Sequence, residues 1–453
     1  MITTRLLLLG AGRSAASLIQ YLLHHAPSEG WFLTVADANP AHLAPVLAAH
    51  SGYARAVPFD AADDDALNAR VAEADIVVSM LPASLHPMVA RACLHNHCHL
   101  ATASYVGPEI QALHADAAVA GLTFLMECGL DPGLDHMSAV RAIADIRARG
   151  GRVTAFRSYC GGLLAPAAEV GNPWQYKFTW NPRNVVLAGQ GGPARYLDSG
   201  HLRFIPYQHL FARTEAVTVP GHGAFEGYAN RDSLGYRTPY GLADVPTILR
   251  GTLRRPGYCA AWNALVRLGF TDDSIRLGNA ETMSWAALVE AFLPAAKAPH
   301  LSLPLRVSSY LGLDPDGEEM GRLNWLGLFS AQYPVGHADA TPAQLLERLL
   351  ADKWQLGPHD HDLVVMQHVF DYELAGQSCR RTASLAVTGA DATHTAMAQT
   401  VGLPLGMAVR RLARGLVPQR GVVIPVNPEL YEPILDELAA DYGIAFQEEE
   451  TGH

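Results

Sequence analysis

One short segment near the start limits the fold more than any other. Between the apolar run Arg5 to Leu9 and the stretch Ser14 to Leu23 lies Gly10-Ala11-Gly12-Arg13-Ser14-Ala15. In that stretch Ala15, Leu18, Ile19, Leu22 and Leu23 recur at helical spacing. A G-x-G-x-x-A segment joining a strand to a helix has a specific physical use. The first glycine allows a tight turn, the second lets the backbone approach a pyrophosphate, and the small third residue lets helix and strand pack closely. The phosphates would rest on the helix N-terminus, where unbonded N–H groups and the macrodipole favour an anion. Gly10, Gly12, Arg13 and Ser14 are the candidate dinucleotide contacts.

The pattern continues in the same rhythm. Trp31 to Ala36, Val57 to Phe59, Ile76 to Leu81, His99 to Ala103 and Leu122 to Met126 read as further strands, with helical segments between them. The Asp63-Asp64-Asp65 run caps one of those helices. Alternating strands and helices imply a parallel sheet covered on both faces, so an α/β, Rossmann-type doubly wound domain is expected over residues 1–130. Asp37 ends the second strand, where a carboxylate accepts hydrogen bonds from the adenosine ribose. It lies 27 residues beyond Gly10 (37 − 10), longer than the usual spacing of about 20, and the loop His24 to Gly30 absorbs the excess. The same residue suits a turn before Asn39-Pro40, and both roles stand. A carboxylate there repels the 2′-phosphate of NADP, which points to NAD, with NADP as the alternative. Asp60 is placed to approach the adenine, and Leu81 and Pro82 the nicotinamide ribose, with an ordinary strand-end role the commoner alternative for each.

After Asp131-Pro132-Gly133 the texture changes. A second α/β domain is expected over 131–390, with a mostly helical part at about 240–355, and a C-terminal segment, 391–453, that packs back on the first domain. Val153 to Tyr159 and Asp362 to Phe370 read as strands, with Ser384 to Thr388 beside the latter. Ala260 to Leu268, Ala343 to Leu350 (opened by Thr341-Pro342), Thr393 to Leu403 and Ala408 to Leu416 read as helices. The chain has 44 acidic and 33 basic residues, a balance that argues against a nucleic-acid surface, which needs basic patches. No stretch of about 20 apolar residues suggests a membrane span. Six cysteines in 453 residues suit reduced thiols in a cytoplasmic protein better than a disulfide framework.

The later motifs carry a resemblance. Ala103-Ser104-Tyr105, then Glu127-Cys128-Gly129-Leu130-Asp131-Pro132-Gly133-Leu134-Asp135-His136, then Ser158-Tyr159-Cys160-Gly161-Gly162-Leu163 follow in order. Asn230-Arg231-Asp232-Ser233, Arg250-Gly251-Thr252-Leu253-Arg254 and Val401-Gly402-Leu403-Pro404 come after them. This series, spread over nearly the whole chain, resembles the saccharopine reductase family, the glutamate-forming saccharopine dehydrogenases of lysine metabolism. The resemblance implies an oxidoreductase that interconverts saccharopine, NAD(P) and water with glutamate, 2-aminoadipate 6-semialdehyde and NAD(P)H. The partners it implies are these small molecules, and it is compatible with a homodimer. Fungal members carry an arginine near the position of Asp37 and use NADP, so Asp37 is a departure from them.

By the same resemblance Arg231 clamps a substrate carboxylate, and Thr252, Leu253 and Arg254 hold another part of the ligand. Bidentate arginine–carboxylate pairing suits a substrate with three carboxylates. Ser104 and Tyr105 follow the fifth strand, at the edge where doubly wound sheets bind ligands. Hydride removal beside a secondary amine, then attack of water on the imine, needs a group that takes and returns protons. Asp131 is the first candidate, with Tyr105, Cys160, Asp135 and His136 as the others; Asp131 equally suits an Asx turn and Cys160 a packing position. Lys177 is placed either for a substrate carboxylate or for a neighbouring acid. The cluster Cys93, His95, His97, Cys98 and His99 has no common zinc spacing, and no metal is expected. Two other readings remain at this level: an opine or carboxyalkyl-amine dehydrogenase acting on another dicarboxylic amine, and a non-catalytic NAD-binding regulator.

Overall fold

The computed structural model describes residues 2–295 and 300–452, which form two compact units. The first comprises residues 1–152, 374–376 and 387–447. Its sheet contains β1 (Thr4–Leu9), β2 (Trp31–Asp37), β3 (Ala54–Pro58), β4 (Ile76–Ser79), β5 (His99–Thr102) and β6 (Thr123–Leu125). A seventh strand, β15 (Gly421–Val423), joins from far along the chain; the order is β15-β6-β5-β4-β1-β2-β3 and every pairing is parallel. The continuous run Leu6 to Leu9 is explained by this: a parallel strand covered on both faces buries every side chain, and all four leucines are at most 2% exposed. The reversal of strand order falls between β1 and β4, which opens a crevice at their C-terminal ends.

The helix after the glycine loop spans Ala16–Glu29 and ends at Gly30 in the left-handed conformation. The two helices expected at Thr393 to Leu403 and Ala408 to Leu416 are one helix, Ala396–Ala413, which runs through Pro404 and is capped by the Thr395 hydroxyl. Packing explains its continuity. A Cβ on Gly402 would lie 2.7 Å from the Leu18 nitrogen, and one on Gly406 would lie 2.6 Å from the Tyr21 ring. The two helices therefore touch backbone to backbone, and Glu29 adds ion pairs to Arg410 and Arg414. Such contacts fix the helical path on both sides of the proline, overriding its local tendency to break a helix.

The second unit comprises residues 153–373, 377–386 and 448–453. Its strands are β7 (Arg152–Leu164), β8 (Ala194–Asp198), β9 (His201–Ile205), β10 (Thr214–Val219), β11 (Gly223–Ala229), β12 (Thr247–Arg254), β13 (Asp362–Leu374), β14 (Gln377–Thr388) and β16 (Gln447–Gly452). They form a mixed sheet in the order β10-β11-β12-β7-β13-β14-β16, with β8 on β12 and β9 on β8. Among the described residues of 240–355 there are five helices of eight or more residues, as expected, but also β12, a central strand that the helical reading passed over. Its neighbours supply the reason it extends: the Tyr159 ring lies against Gly227 and Gly251, filling space that two missing side chains leave open. The helix Pro342–Lys353 starts with a capping box between Thr341 and Gln344. Beneath the helices Trp174, Tyr176, Tyr258, Trp262 and Trp354 pack edge-to-face and stacked as one aromatic cluster. Among the described residues no helix is long and apolar enough to cross a membrane.

Candidate active site

At the C-terminal edge of the first sheet the glycine loop has the geometry its sequence asks for. Gly10 stands at φ +85°, and a Cβ there would meet the Met80 carbonyl at 3.2 Å and the Leu81 side chain at 3.3 Å. A Cβ on Gly12 would meet nothing within 4 Å, so its backbone faces open space where a ligand can approach. The helix Ala16–Glu29 begins with no side-chain cap and no acid in its first turn, which leaves its N-terminus suited to an anion. Arg13 is exposed and Ser14 half-buried on the same turn.

Asp37 closes this loop from the end of β2. One carboxylate oxygen accepts the Ala11 N–H and the other the Asn39 N–H, each at 2.8 Å. Each oxygen keeps a lone pair for a further donor, so turn-making and ribose-binding are compatible in one residue. Beyond it Asp60, with Ala38, Pro58, Phe59, Ala66 and Arg70, lines a cleft of about 790 Å³. The residues present fit a dinucleotide: an uncapped helix end suited to an anion, a carboxylate with spare lone pairs and an adjoining cleft. Pro82 opens the short turn Ala83–Leu85 after β4.

The segment Glu127 to His136 is a closed knot. Gly129 N–H donates to the Pro132 carbonyl and Leu134 N–H to the Gly129 carbonyl, both at 2.9 Å. A Cβ on Gly133, at φ +146°, would come within 2.1 Å of the Gly129 oxygen, and one on Gly129 within 2.8 Å of the Ala103 Cβ. Only glycine fits either place, and the contact presses the knot against the end of β5. The buried His136 ring bridges two carboxylates, Glu127 at 2.7 Å and Asp135 at 3.4 Å. Glu127 also accepts the Val106 N–H at 2.8 Å, and Asp135 the Gly133 N–H at 2.6 Å. This brace ties the chain on either side of two candidates, and they meet: the Tyr105 hydroxyl donates to Asp131 Oδ1 at 2.7 Å. Tyr105 is 43% exposed.

Ser104 has a partner that no sequence motif signalled. Its hydroxyl lies 2.7 Å from Nε2 of His86, whose Nδ1 lies 3.0 Å from the Ser79 hydroxyl. Burial pulls the His86 pKa down to about 4, so the ring is neutral near pH 7. Seven and eighteen residues separate His86 from these partners, and the three lie on different elements, Ser79 at the end of β4, His86 in the next helix and Ser104 after β5, so only the fold reveals the group.

The remaining candidates lie in the second unit. Thr252 and Cys160 are register partners on β12 and β7, and a Cβ on the adjacent Gly161 would lie 2.7 Å from the Leu253 carbonyl. Cys160 is buried. Arg231 follows β11 in a loop whose other side chains are committed. Asn230 accepts the Arg231 N–H, Asp232 pairs with Arg195, and the Ser233 hydroxyl accepts the Arg250 N–H. The exposed Arg231 guanidinium has no carboxylate partner among the described residues. Arg254 differs: it is 4% exposed, faces the rings of Tyr176, Tyr228 and Tyr258, and donates to the Leu253 carbonyl. Lys177 pairs with Asp360 at 2.6 Å, the neighbouring-acid alternative. Cys98 donates to the Val71 and Ala74 carbonyls and Cys93 is buried; among the described residues no three His, Cys, Asp or Glu groups are placed to hold a metal.

Comparison with known proteins gives a consistent set of likenesses. Residues 6–125 match the saccharopine dehydrogenase NADP binding domain and residues 129–444 the saccharopine dehydrogenase C-terminal domain. A relative in Pyricularia oryzae, named saccharopine dehydrogenase [NADP(+), L-glutamate-forming], is 33% identical over 99% of both chains. One of the same name in Saccharomyces cerevisiae is 34% identical over 98% of both. The apo structure of saccharopine dehydrogenase (L-Glu forming) from Saccharomyces cerevisiae superimposes with a TM-score of 0.87 at 31% identity, covering 99% of this chain and 100% of that one.

Proposed function

This chain belongs to the saccharopine dehydrogenase family, and we propose that it interconverts saccharopine, a nicotinamide dinucleotide and water with L-glutamate, 2-aminoadipate 6-semialdehyde and the reduced dinucleotide. The observation that carries the chemistry is the Tyr105–Asp131 pair at 2.7 Å on the ligand-binding edge of the parallel sheet. Gly10, Gly12, Arg13 and Ser14 would hold the dinucleotide, whose nicotinamide would supply the hydride acceptor for the carbon beside the secondary amine. Asp131 takes the proton from that amine and, after water has added to the imine, returns one to the departing nitrogen. Tyr105 holds the carboxylate in orientation through its hydroxyl. Arg231, unpaired among the described residues, receives a substrate carboxylate, and the end of β12 at Thr252 to Arg254, with Cys160 alongside Thr252, contacts the rest of the substrate.

For the cofactor we propose a preference for NAD. The support is Asp37: a 2′-phosphate on the adenosine ribose meets a carboxylate already fixed in place by two backbone N–H groups. NADP is the second reading, supported by Arg70 on the wall of the adjoining cleft and by the NADP(+) in the relatives' names. The deciding experiment follows reduced-nicotinamide formation from saccharopine with NAD and NADP side by side. Turnover with NAD at the higher kcat/KM, yielding glutamate, is expected. Preference for NADP overturns the reading of Asp37 but keeps the reaction; no turnover with either overturns the reaction.

A further inference from the structure

We propose that His86 is a positioning residue for this reaction, acting through the Ser104 hydroxyl; the proposal rests on the reading that Ser104 contacts the substrate. His86 opens the helix His86–His95 and is 1% exposed. Around its ring are three hydroxyls from the ends of two adjacent strands. Ser79 closes β4 and Thr102, its register partner, closes β5. Both are fully buried. Ser79 lies at 3.0 Å from Nδ1, and Thr102 at 3.5 Å from Nε2 while its oxygen also accepts the Ser104 N–H at 3.2 Å. Ser104, at 2.7 Å from Nε2, is the half-buried member, and through it the buried group reaches the ligand edge of the sheet.

The chemistry of a neutral imidazole explains what this arrangement does. Such a ring has one N–H and one lone pair, and a hydroxyl can donate or accept. With the proton on Nδ1 the ring donates to Ser79 and accepts from Ser104, which leaves Ser104 lone pairs for a ligand N–H. With the proton on Nε2 the polarity reverses, and the Ser104 hydrogen is available to a ligand carboxylate or carbonyl. Either state keeps both ring nitrogens bonded. Ser104 is thus held in one place while its hydrogen-bonding sense adapts to the ligand. Burial keeps the ring uncharged and therefore able to serve both states. A merely structural role would be met by apolar side chains at the same three strand-end positions, at less desolvation cost.

The test is a kinetic double-mutant cycle on the full chain with saccharopine, alongside thermal unfolding. S104A is expected to lower kcat/KM for saccharopine about tenfold, H86A by a similar factor, and the double variant no further than S104A alone. H86Q, whose terminal amide reaches towards the Nε2 position, is expected to restore most of the loss; H86N, which reaches only the Nδ1 position, is not. If the two losses multiply in the double variant, or H86N restores activity as well as H86Q, His86 does not act through Ser104. The H86Q and H86N pair decides the question even where H86A fails to fold. If S104A leaves kcat/KM unchanged, the substrate role of Ser104 falls and the proposal with it.

Discussion

Two glycine loops stand on the same edge of the first sheet and use glycine in opposite ways. The loop after β1 leaves room: the missing side chain of Gly12 opens onto nothing within 4 Å. The knot after β6 leaves none: Gly129 and Gly133 close on each other, with a Cβ on Gly133 only 2.1 Å from the Gly129 oxygen. An open glycine invites a ligand, whereas a closed pair holds nearby functional groups still, here Asp131 beside Tyr105 and Asp135 beside His136. Glu127, at φ +59°, adopts a left-handed backbone that a glutamate takes only when its surroundings hold it, and its bonds to His136 and Val106 do so. The same residue type therefore reads as a ligand site in one loop and as scaffold in the other, and the distinguishing quantity is what a methyl group would meet.

Substitution can break this contrast. G133A combines backbone clash with an unfavourable φ, so a loss of at least about 3 kcal/mol is expected in the first unit's unfolding by denaturant; a loss below 1 kcal/mol would mean the knot is loose. His86, which belongs to neither loop, is expected to show itself through pH. Its folded pKa, about 4, lies below the unfolded value of 6.5, so the unfolded state binds the extra proton between them. Its contribution is present above pH 6.5 and is lost as pH falls towards 4, a loss of about 3 kcal/mol by linkage. Unfolding followed across that range should flatten in H86Q, and an unchanged slope would assign the acid sensitivity to other groups.

Gly12 gives the converse of Gly133. G12A is expected to unfold within about 0.5 kcal/mol of the parent while its dinucleotide dissociation constant rises at least about tenfold, roughly 1.4 kcal/mol. Equal losses in both measurements would erase the distinction between the loops. The smallest effect concerns Asp37: D37N keeps one acceptor oxygen for a loop N–H, gives up the other and removes the charge, and the ratio of kcat/KM for NADP over NAD is expected to rise up to about tenfold. An unchanged ratio would give the choice of cofactor to Arg70 or another group.

What could be read in the sequence followed the range of the interaction. The strand, glycine loop and helix at Arg5 to Leu23 are set by neighbours a few residues apart, and their pattern is legible. Tyr105 and Asp131 were singled out by a motif resemblance, since nothing local shows that 26 residues of separation bring their side chains to 2.7 Å. His86 had no motif, and the hydroxyls around it come from the end of β4 and from the end of β5 and the residues just after it. Pro404 looked like a helix boundary because the glycines that seat its helix on Leu18 and Tyr21 act across almost 400 residues. The strands β8 to β11, in a stretch with several glycines and prolines, have no counterpart among the segments singled out in the sequence, because their stabilisation comes from cross-strand pairing.

The seventh strand of the first sheet has a consequence in time. Gly421 pairs with Thr123, so the edge of β6 waits for 298 residues of later chain (421 − 123). At about 5 to 20 residues per second, translation takes roughly 15 to 60 s to supply them. During that interval Thr123 to Leu125, all buried in the finished protein, present an apolar strand with an unpaired row of amides and carbonyls. The youngest form of this enzyme is therefore its most adhesive, and crowded or accelerated synthesis should divert it at that edge before β15 emerges to close it.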